Sequence, residues 1–311
     1  MAIVAPSNMN FSDKNIIMII SGLPGTGKTT LALSAPDVLL IDTDEGMARV
    51  NPAHRKDASV CKTYEEILAD IKAAEGHYKT IVIDTCGALI EYMKDWAMRT
   101  DPKASKANGG FSLQGYGVIK SEFIRLSAEL RKKFNVIYLF HENMTKNDDS
   151  LFYELVVEGS TRTLVYQPAD LAGHLFIDHS KRYIGFTPTE QYSAKSAYGI
   201  RGIIEIPELK DGDANDFLTK LFAKVRKNLE TQAQTVAPQK SQYEEVMASV
   251  REFVGNIEKP EDVIPCLKAL KGLPHALTSE KEGQAAVKAR IAELGIVYDK
   301  ATKTYVYAEE K

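Results

Sequence analysis

The sequence has few of the features that mark secreted or membrane-spanning proteins. Its three cysteines, Cys61, Cys86 and Cys266, stand far apart, so they show no metal-ligand spacing and cannot form a complete set of disulfides. The longest apolar runs, such as residues 16–20, are too short to span a bilayer. No basic segment followed by a long apolar run begins the chain. We therefore expect a cytoplasmic protein with no membrane partner.

An excess of positive charge is also missing. The formal net charge of the 311 residues is −3, and 26% of them are charged. Any contact with DNA must therefore come from a local basic surface rather than from the whole molecule. Hydrophobic residues make up 44% of the chain, which is ordinary for a soluble globular protein. The length suits one large domain and a small one.

Apolar runs and amphipathic segments alternate along the first half of the chain. Buried strands of a parallel sheet are predicted at residues 15–21, 37–42, 80–84 and 136–140. Helices are predicted between and after them, at residues 28–34, 63–74, 88–98 and 114–133. This alternation predicts an α/β fold with a mainly parallel central sheet flanked by helices.

The second half of the chain indicates a change of architecture and a second domain. Several shorter strands are expected between residues 152 and 206, followed by a helix at 214–228. Residues 230–240 are polar and include Pro238, so we predict a linker there. The expected domains are thus 1–229 and a small, mostly helical module at 241–311 that ends in a strand pair.

A phosphate-binding motif follows the first predicted strand. Residues 22–29, GLPGTGKT, fit the pattern G-x-x-x-x-G-K-[ST]. Glycine permits the curvature that turns backbone N–H groups inward onto phosphate oxygens, and the next helix directs its N-terminal dipole at the same anion. ATP and Mg²⁺ are therefore the expected ligands. The predicted nucleotide-binding residues are Gly22, Pro24, Gly25, Thr26, Gly27, Lys28, Thr29 and Thr30.

Three side chains in or near this motif are predicted to bind the phosphates and the metal. Lys28 places a charge on the β- and γ-phosphates, and the Thr29 hydroxyl ligates Mg²⁺. Asp84 ends the apolar strand TIVID, as a Walker B carboxylate does. The alternative for Asp84 is that it caps the next helix.

A further acid is needed to orient the attacking water. In AAA+ ATPases a glutamate directly follows the Walker B aspartate, but here Thr85 stands in that position. The second strand instead ends in IDTDEG, so we predict that Asp44 or Glu45 activates water and leave the two open. The fourth strand ends in FHEN, where His141 is the predicted γ-phosphate sensor and Glu142 its possible partner.

The order of these motifs resembles the RecA-like ATPase core. More closely, GLPGTGKTTLA, LLIDTDEGM, IVIDT, FHE, QPADLAGH and SAKSAYGIRG resemble phage-type nucleotide-binding proteins, a group that includes RecA-like single-strand annealing proteins. The resemblance covers about residues 14–206. It implies that Asp44 stands at the catalytic acid, with aspartate in place of the usual glutamate, so Glu45 remains possible. It also implies that His141 stands at the γ-phosphate sensor, where RecA has glutamine.

The same resemblance implies partners. Two loops of the RecA-like core contact single-stranded DNA, and their counterparts are residues 99–110 and the short, acidic segment 145–150. Subunits of such proteins assemble with nucleotides at their interfaces and bring a basic residue to a neighbour's γ-phosphate. Lys195 is the candidate for that residue and is also expected to be catalytic, with Arg201 as a second choice. In the first loop, the residues expected to contact DNA phosphates are Arg99, Lys103 and Lys106.

Three functions compete on this basis. The first is a DNA-dependent ATPase that binds single-stranded DNA in phage-type recombination or annealing, with residues 241–311 available to a recombination partner. The second is a nucleotide-dependent switch or assembly ATPase that recruits another factor through the C-terminal module. The third is a P-loop kinase, which would need an arginine-rich lid that the sequence does not show.

Overall fold

The structure is a computed structural model that describes residues 14–147, 150–157 and 165–308. The chain divides at Leu229 into two compact units. The larger unit holds the predicted phosphate motif. Among the described helices, none is both long enough and apolar enough to cross a membrane.

A nine-stranded sheet forms the centre of the larger unit. Its strands, in chain order, are β1 Ile17–Gly22, β2 Val38–Asp42, β3 Ala58–Ser59, β4 Thr80–Asp84, β5 Asn135–Asn147, β6 Ser150–Leu155, β7 Leu171–Asp178, β8 Lys181–Gly185 and β9 Ile203–Ile206. They lie side by side in the order β3-β2-β4-β5-β1-β7-β8-β9, and β6 pairs with the far part of β5.

The strands around β1 are parallel, and those beyond β7 are not. Parallel pairs join β3, β2, β4, β5, β1 and β7, whereas β8 and β9 extend the sheet as antiparallel strands. Strands β1, β2 and β4 are buried along their whole length, which explains their unbroken apolar sequences. The predicted α/β fold with a mainly parallel central sheet is confirmed.

Four of the helices in the described part of the chain lie between strands of this sheet. They are α1 Lys28–Ala32, α2 Tyr64–Ala73, α3 Cys86–Thr100 and α4 Leu113–Lys133. The buried face of α4, including Phe123 and Leu126, packs in one apolar core with Ile19, Ile83 and Tyr138 of the sheet. Alternate residues of these strands therefore bury toward α2, α3 and α4, because side chains alternate between the two faces of a sheet.

A serine fixes the short helix α1 to the first turn of helix α5, Phe217–Gly255. The Ser34 hydroxyl accepts the Leu218 N–H at 2.9 Å, and the Ser34 carbonyl accepts the Thr219 N–H at 3.0 Å. The Asn215 side chain donates to the Thr30 carbonyl at 2.9 Å. The first turn of α5 thus donates its free N–H groups to Ser34, just after α1. These bonds hold α1, the helix that follows the phosphate motif, in place.

Helix α5 differs from the helix predicted at residues 214–228. It continues to Gly255 and includes the predicted linker 230–240, with Pro238 inside it. Proline removes one N–H from the helical ladder and its ring crowds the carbonyl four residues earlier, but the helix continues through Pro238. The predicted end of the helix at residue 228 is therefore wrong, while the domain boundaries themselves stay a prediction.

The smaller unit has its own core. After α5 come α6 Val263–Lys271, α7 Ser279–Glu293 and a hairpin of β10 Ile296–Asp299 and β11 Thr304–Tyr307. Val250, Val263, Leu270, Val287 and Ile296 are buried together. These elements match the three helices and the terminal strand pair expected there, apart from the early start of α5.

Candidate nucleotide-binding site

The predicted site residues meet at one edge of the sheet. Gly22 of β1 stands opposite His141 of β5, and Asp42 of β2 stands opposite Asp84 of β4. All four lie at the carboxyl ends of parallel strands, where ligands of open α/β sheets bind.

Backbone geometry explains the glycines of the phosphate motif. Gly25 and Gly27 have φ angles of 80° and 93°, in the left-handed region that side chains disfavour. A Cβ on Gly22 would lie 2.4 Å from the Leu175 carbonyl oxygen, so β7 leaves no room for a side chain. Helix α1 begins directly after Gly27. Residues 22–29 therefore form the curved backbone that an anion-binding loop requires.

The Lys28 ammonium lies inside this loop. It donates to the carbonyl oxygens of Gly22 and Leu23, at 3.0 Å each. Burial lowers the pKa of Lys28, and the negative charges of Asp84, Glu142 and Asp44 oppose that shift. A buried cation that is held only by carbonyls fits a site for a more strongly negative oxygen.

Thr29 and Asp84 meet as a Mg²⁺ site requires. The Thr29 hydroxyl donates to Asp84 Oδ2 at 2.6 Å. Burial raises the pKa of Asp84, the hydrogen bond from Thr29 lowers it, and the charges of Asp42 and Asp44 raise it further. A hydroxyl beside a carboxylate is an oxygen donor set that suits Mg²⁺ with phosphates and waters as the remaining ligands. The described residues contain no cluster of three or more His, Cys, Asp or Glu side chains that could hold a metal alone.

Asp84 does not cap the next helix. Thr85 does so, because its hydroxyl accepts the Ala88 N–H at 3.3 Å. The alternative role of Asp84, as the cap of the next helix, is therefore wrong. Asp42, at the end of β2, instead caps the turn that follows its own strand. Its carboxylate accepts the N–H groups of Gly46 at 2.7 Å and Met47 at 3.0 Å. The sequence pattern gave no role to Asp42.

Asp44 lies beside His141. Asp44 Oδ2 is 3.6 Å from His141 Nε2 and 3.4 Å from Arg49 Nη1, and Arg49 also donates to the Asp44 carbonyl at 3.0 Å. Glu45 is exposed and has a positive φ of 52°. Of the two candidate acids, Asp44 is therefore the one that the structure brings next to the candidate sensor.

Glu142 does not pair with His141. Its Oε2 lies 2.8 Å from Nδ1 of His174 on β7, and both side chains are buried. The contact has the distance of an ion pair, but neither atom makes a hydrogen bond of good angle within the described chain. Successive side chains of a strand point to opposite faces of the sheet, so the side chains of Glu142 and His141 point away from each other. The His174 ring stacks on Tyr192 at a centroid distance of 4.3 Å.

A cavity of about 500 Å³ opens beside the phosphate motif. Its lining includes Gly27, Thr30, Asn51, His54 and Arg182. His54 is buried, and its Nε2 makes no hydrogen bond within the described chain. Arg182 donates from Nε to the Thr26 carbonyl at 3.2 Å. Neither residue is predicted from the sequence, since no motif marks His54 or Arg182 and each stands far from residues 22–29 in the chain.

The residues expected to contact DNA are partly engaged. Residues 99 and 100 lie in α3 rather than in a loop, and the Arg99 guanidinium binds both oxygens of Glu65, at 3.1 and 3.0 Å. Lys103 and Lys106 are exposed beyond that helix.

The described residues of the second expected DNA loop belong to the paired strands β5 and β6. Thr145 pairs with Phe152, and Asn147 pairs with Ser150. Residues 148–149 lie outside the described residues. A cavity of about 540 Å³ at the base of this hairpin has His141 in its lining, and no lysine or arginine is among its described lining residues.

Lys195 does not lie on the phosphate motif of its own chain. Its ammonium donates to the carbonyls of Tyr166 and Gln167, at 3.2 Å each, while its backbone pairs with Ala172 of β7. Arg201 is exposed. Their approach to a neighbouring subunit stays a prediction.

The fold and the site define the class of this protein. The loop after β1, the carboxylate at the end of β4 and the polar end of the parallel part of β5 between them are the features of a P-loop nucleotide-binding protein. Residues 14–198, more than half of the chain, match the AAA domain family, and the chain belongs to that family. The sequence matches no curated protein.

Solved structures similar to this chain include two proteins with low sequence identity. One is the flagellar accessory protein FlaH from Methanocaldococcus jannaschii, 15% identical, which covers 63% of this chain and 91% of its own with a TM-score of 0.30. The other is a prototypical ATPase from the type III secretion system of pathogenic bacteria, 11% identical, which covers 89% of this chain and 81% of its own with a TM-score of 0.39.

Proposed function

We propose that the protein is a Mg²⁺-dependent ATPase whose nucleotide state controls binding to single-stranded DNA in phage-type recombination or annealing. One observation supports the ATPase most directly. Lys28, Thr29 and Asp84 lie together at the sheet edge where Asp44 and His141 meet. Buried charge of both signs is costly unless a ligand or partner compensates it, so this edge suits a metal–triphosphate.

The phosphate-binding roles follow from the contacts at the site. The main-chain N–H groups of residues 25–29 and the Lys28 ammonium bind the triphosphate, as the curved loop and buried cation allow. Thr29 and Asp84 hold Mg²⁺, which neutralises charge on the phosphate oxygens. Lys28 stabilises the additional negative charge that develops as the terminal phosphate leaves.

Asp44 is the proposed base for the attacking water. Asp44 follows β2 at the same carboxyl edge of the sheet as Asp84 of β4, and Glu45 beside it is exposed. A carboxylate in that position accepts a proton from water as the water attacks phosphorus. His141, 3.6 Å from Asp44, links the position of this acid to β5 and the hairpin that β5 forms with β6. Nucleotide state can thereby alter the hairpin.

The nucleoside is proposed to enter the cavity beside Thr30. His54 offers it a buried Nε2 that has no hydrogen bond in the described chain. An unsatisfied buried nitrogen costs free energy, and a polar atom of the base would remove that cost.

Single-stranded DNA is proposed to bind on the surface after α3. Lys103 and Lys106 are exposed there and can neutralise phosphates. Arg99 contributes only after it leaves Glu65, so its share of the affinity is smaller than that of the two lysines. Assembly with nucleotides between subunits, with Lys195 or Arg201 reaching a neighbour, completes this proposal. Residues 241–311 are left for a recombination partner.

The test measures ATP hydrolysis with and without single-stranded DNA, together with particle size by light scattering. Stimulation by DNA with nucleotide-dependent assembly is the expected result. Lys28→Ala serves as the inactive control, because it removes the ammonium from the loop. An ATPase that stays monomeric and indifferent to DNA would reject the DNA part and leave the ATPase standing.

A nucleotide-dependent switch is the second candidate. Two observations favour it: the guanidinium of Arg99 is already paired, and the smaller unit has an apolar core of its own. In this case the C-terminal module binds the partner and the DNA contacts are absent. Hydrolysis would then respond to the protein partner rather than to DNA.

A further inference from the structure

The antiparallel extension of the sheet delivers an arginine to the phosphate loop. Arg182 lies on β8, and its Nε donates to the Thr26 carbonyl at 3.2 Å. Its Nε would lie 3.1 Å from a Cβ placed on Gly27. The guanidinium therefore lies against the backbone of the loop itself, in tight contact with the position where a Cβ on Gly27 would stand.

Arg182 also faces the cavity that begins at the loop. The cavity lining includes Gly27, Thr30 and Arg182 but neither Lys28 nor Asp84. Lys28 interacts electrostatically with Asp84 and Asp44, the residues proposed for the metal and water. Arg182 and Lys28 thus approach the loop from different sides, with Arg182 on the side of the nucleoside.

The guanidinium of Arg182 has further N–H donors that can bind a ligand. Nε is used on Thr26, and no described carboxylate forms an ion pair with Arg182. The other cation of the cavity, Lys220, is paired with Asp216 at 2.8 Å. The neighbour of Arg182 on the opposite face of β8, Lys181, is paired with Glu205 at 2.9 Å. Arginine presents several N–H donors in a planar fork that matches phosphate oxygens.

We propose that Arg182 is a nucleotide-binding residue that contacts the phosphate adjoining the nucleoside, the α-phosphate. The proposal rests on the proposed nucleotide function and adds a residue from β8 to the site. Arg182 holds the loop through Thr26 and gives its remaining N–H groups to phosphate oxygens. The antiparallel strands β8 and β9 thereby become part of the nucleotide site.

The test compares ADP and ATP binding by calorimetry in the full-length protein and three variants. Arg182→Ala should weaken both nucleotides about tenfold or more, the loss expected of a charge-assisted hydrogen bond. Arg182→Lys should recover part of the affinity, since a point charge remains without the fork. Lys181→Ala is the matched control, because it removes the adjacent cation from the other face of the strand and should change affinity by less than about twofold.

A phosphorus NMR spectrum of bound ADP separates phosphate contact from support of the loop. Loss of Arg182 should move the α-phosphorus resonance more than the β-phosphorus resonance. Unchanged ADP affinity in Arg182→Ala, or an unmoved α-phosphorus resonance, would overturn the proposal. Equal losses in Arg182→Ala and Lys181→Ala would also overturn it, since they would indicate only long-range charge. Failure of the proposed function is a separate result, in which the unmodified protein binds neither nucleotide.

Discussion

At the scale of single residues, burial shifts the pKa of groups that are proposed to hold the phosphates and the metal. Burial lowers the pKa of Lys28 and raises that of Asp84, so each loses part of its preference for the charged form. A bound triphosphate would favour the charged form of Lys28, and a bound metal ion would favour the carboxylate form of Asp84. The same groups therefore couple ligand binding to pH.

Binding of Mg²⁺ should weaken on acidification at a higher pH than an ordinary aspartate predicts. The raised pKa of Asp84 means that the folded protein takes up its proton earlier than the unfolded chain, while metal binding needs the carboxylate. In the metal-free protein this group stabilises the fold at low pH, and that contribution disappears as pH rises through the raised pKa. Titrating Mg²⁺ into the ADP complex between about pH 5 and 8 measures the coupling.

Asp84→Asn is the comparison for this titration. It should bind Mg²⁺ more weakly at neutral pH and lose the part of the pH dependence that belongs to Asp84. If the variant retains the full pH dependence, the acidic group responsible lies elsewhere.

Asp44 and Glu45 should separate in a single pair of variants. Asp44→Ala is expected to lower kcat about 100-fold or more, as loss of a general base does, and to leave ADP binding in place. Glu45→Ala should lower kcat far less, since Glu45 is exposed while Asp44 contacts His141. Single-turnover hydrolysis rates decide the matter. If Glu45→Ala lowers kcat more than Asp44→Ala does, Glu45 is the acid that activates water.

At the scale of elements, the joint between α1 and α5 determines where the phosphate loop stands. Helix α1 has only five residues and depends on neighbours for its position. Ser34 provides one hydroxyl and one carbonyl to the first turn of α5. A helix that starts late in the sequence thus fixes one that starts near the beginning.

Ser34→Ala should destabilise the larger unit by about 1–2 kcal/mol, because the buried Leu218 N–H loses its acceptor. Ser121→Ala is the control: its hydroxyl is on the exposed side of α4 and bonds to Gly117, so the change should cost less than about 0.5 kcal/mol. Urea unfolding followed by Trp96 fluorescence reports on this unit, since Trp96 is the one tryptophan of the chain. Equal midpoints for both variants would contradict the role of this joint.

At the scale of the whole molecule, the described site residues all belong to the larger unit. All residues that line the cavity beside the loop lie between Gly27 and Lys220 in the sequence, before the division at Leu229. The smaller unit has a separate apolar core of valine, leucine and isoleucine side chains. We therefore expect nucleotide binding to persist without the C-terminal module.

A chain that ends at residue 240 should bind ADP with an affinity within about twofold of the full-length protein. Its Trp96 unfolding transition should also persist. A switch that works through residues 241–311 predicts that partner binding disappears in this variant while hydrolysis continues. A large loss of ADP affinity would show instead that the smaller unit completes the nucleotide site.

Much of the fold was predictable because its cues are local. The apolar strands β1, β2 and β4 have unbroken runs that only a doubly covered sheet accommodates. Local cues failed at α5, where polar composition and Pro238 suggested a linker inside a continuous helix. They also failed at residues 99–100, which extend α3 into the expected loop.

Local sequence patterns were enough to predict the curved loop at residues 22–29, the Thr29–Asp84 pair and the parallel strands, because backbone curvature and apolar runs depend on near neighbours in the chain. The way the strands pack together places Asp44 rather than Glu45 beside His141, and it pairs Glu142 with His174. It alone brought Arg182 to Thr26 across 156 positions of sequence. Such contacts depend on strand order and on which face each side chain takes, and neither is encoded in a local motif.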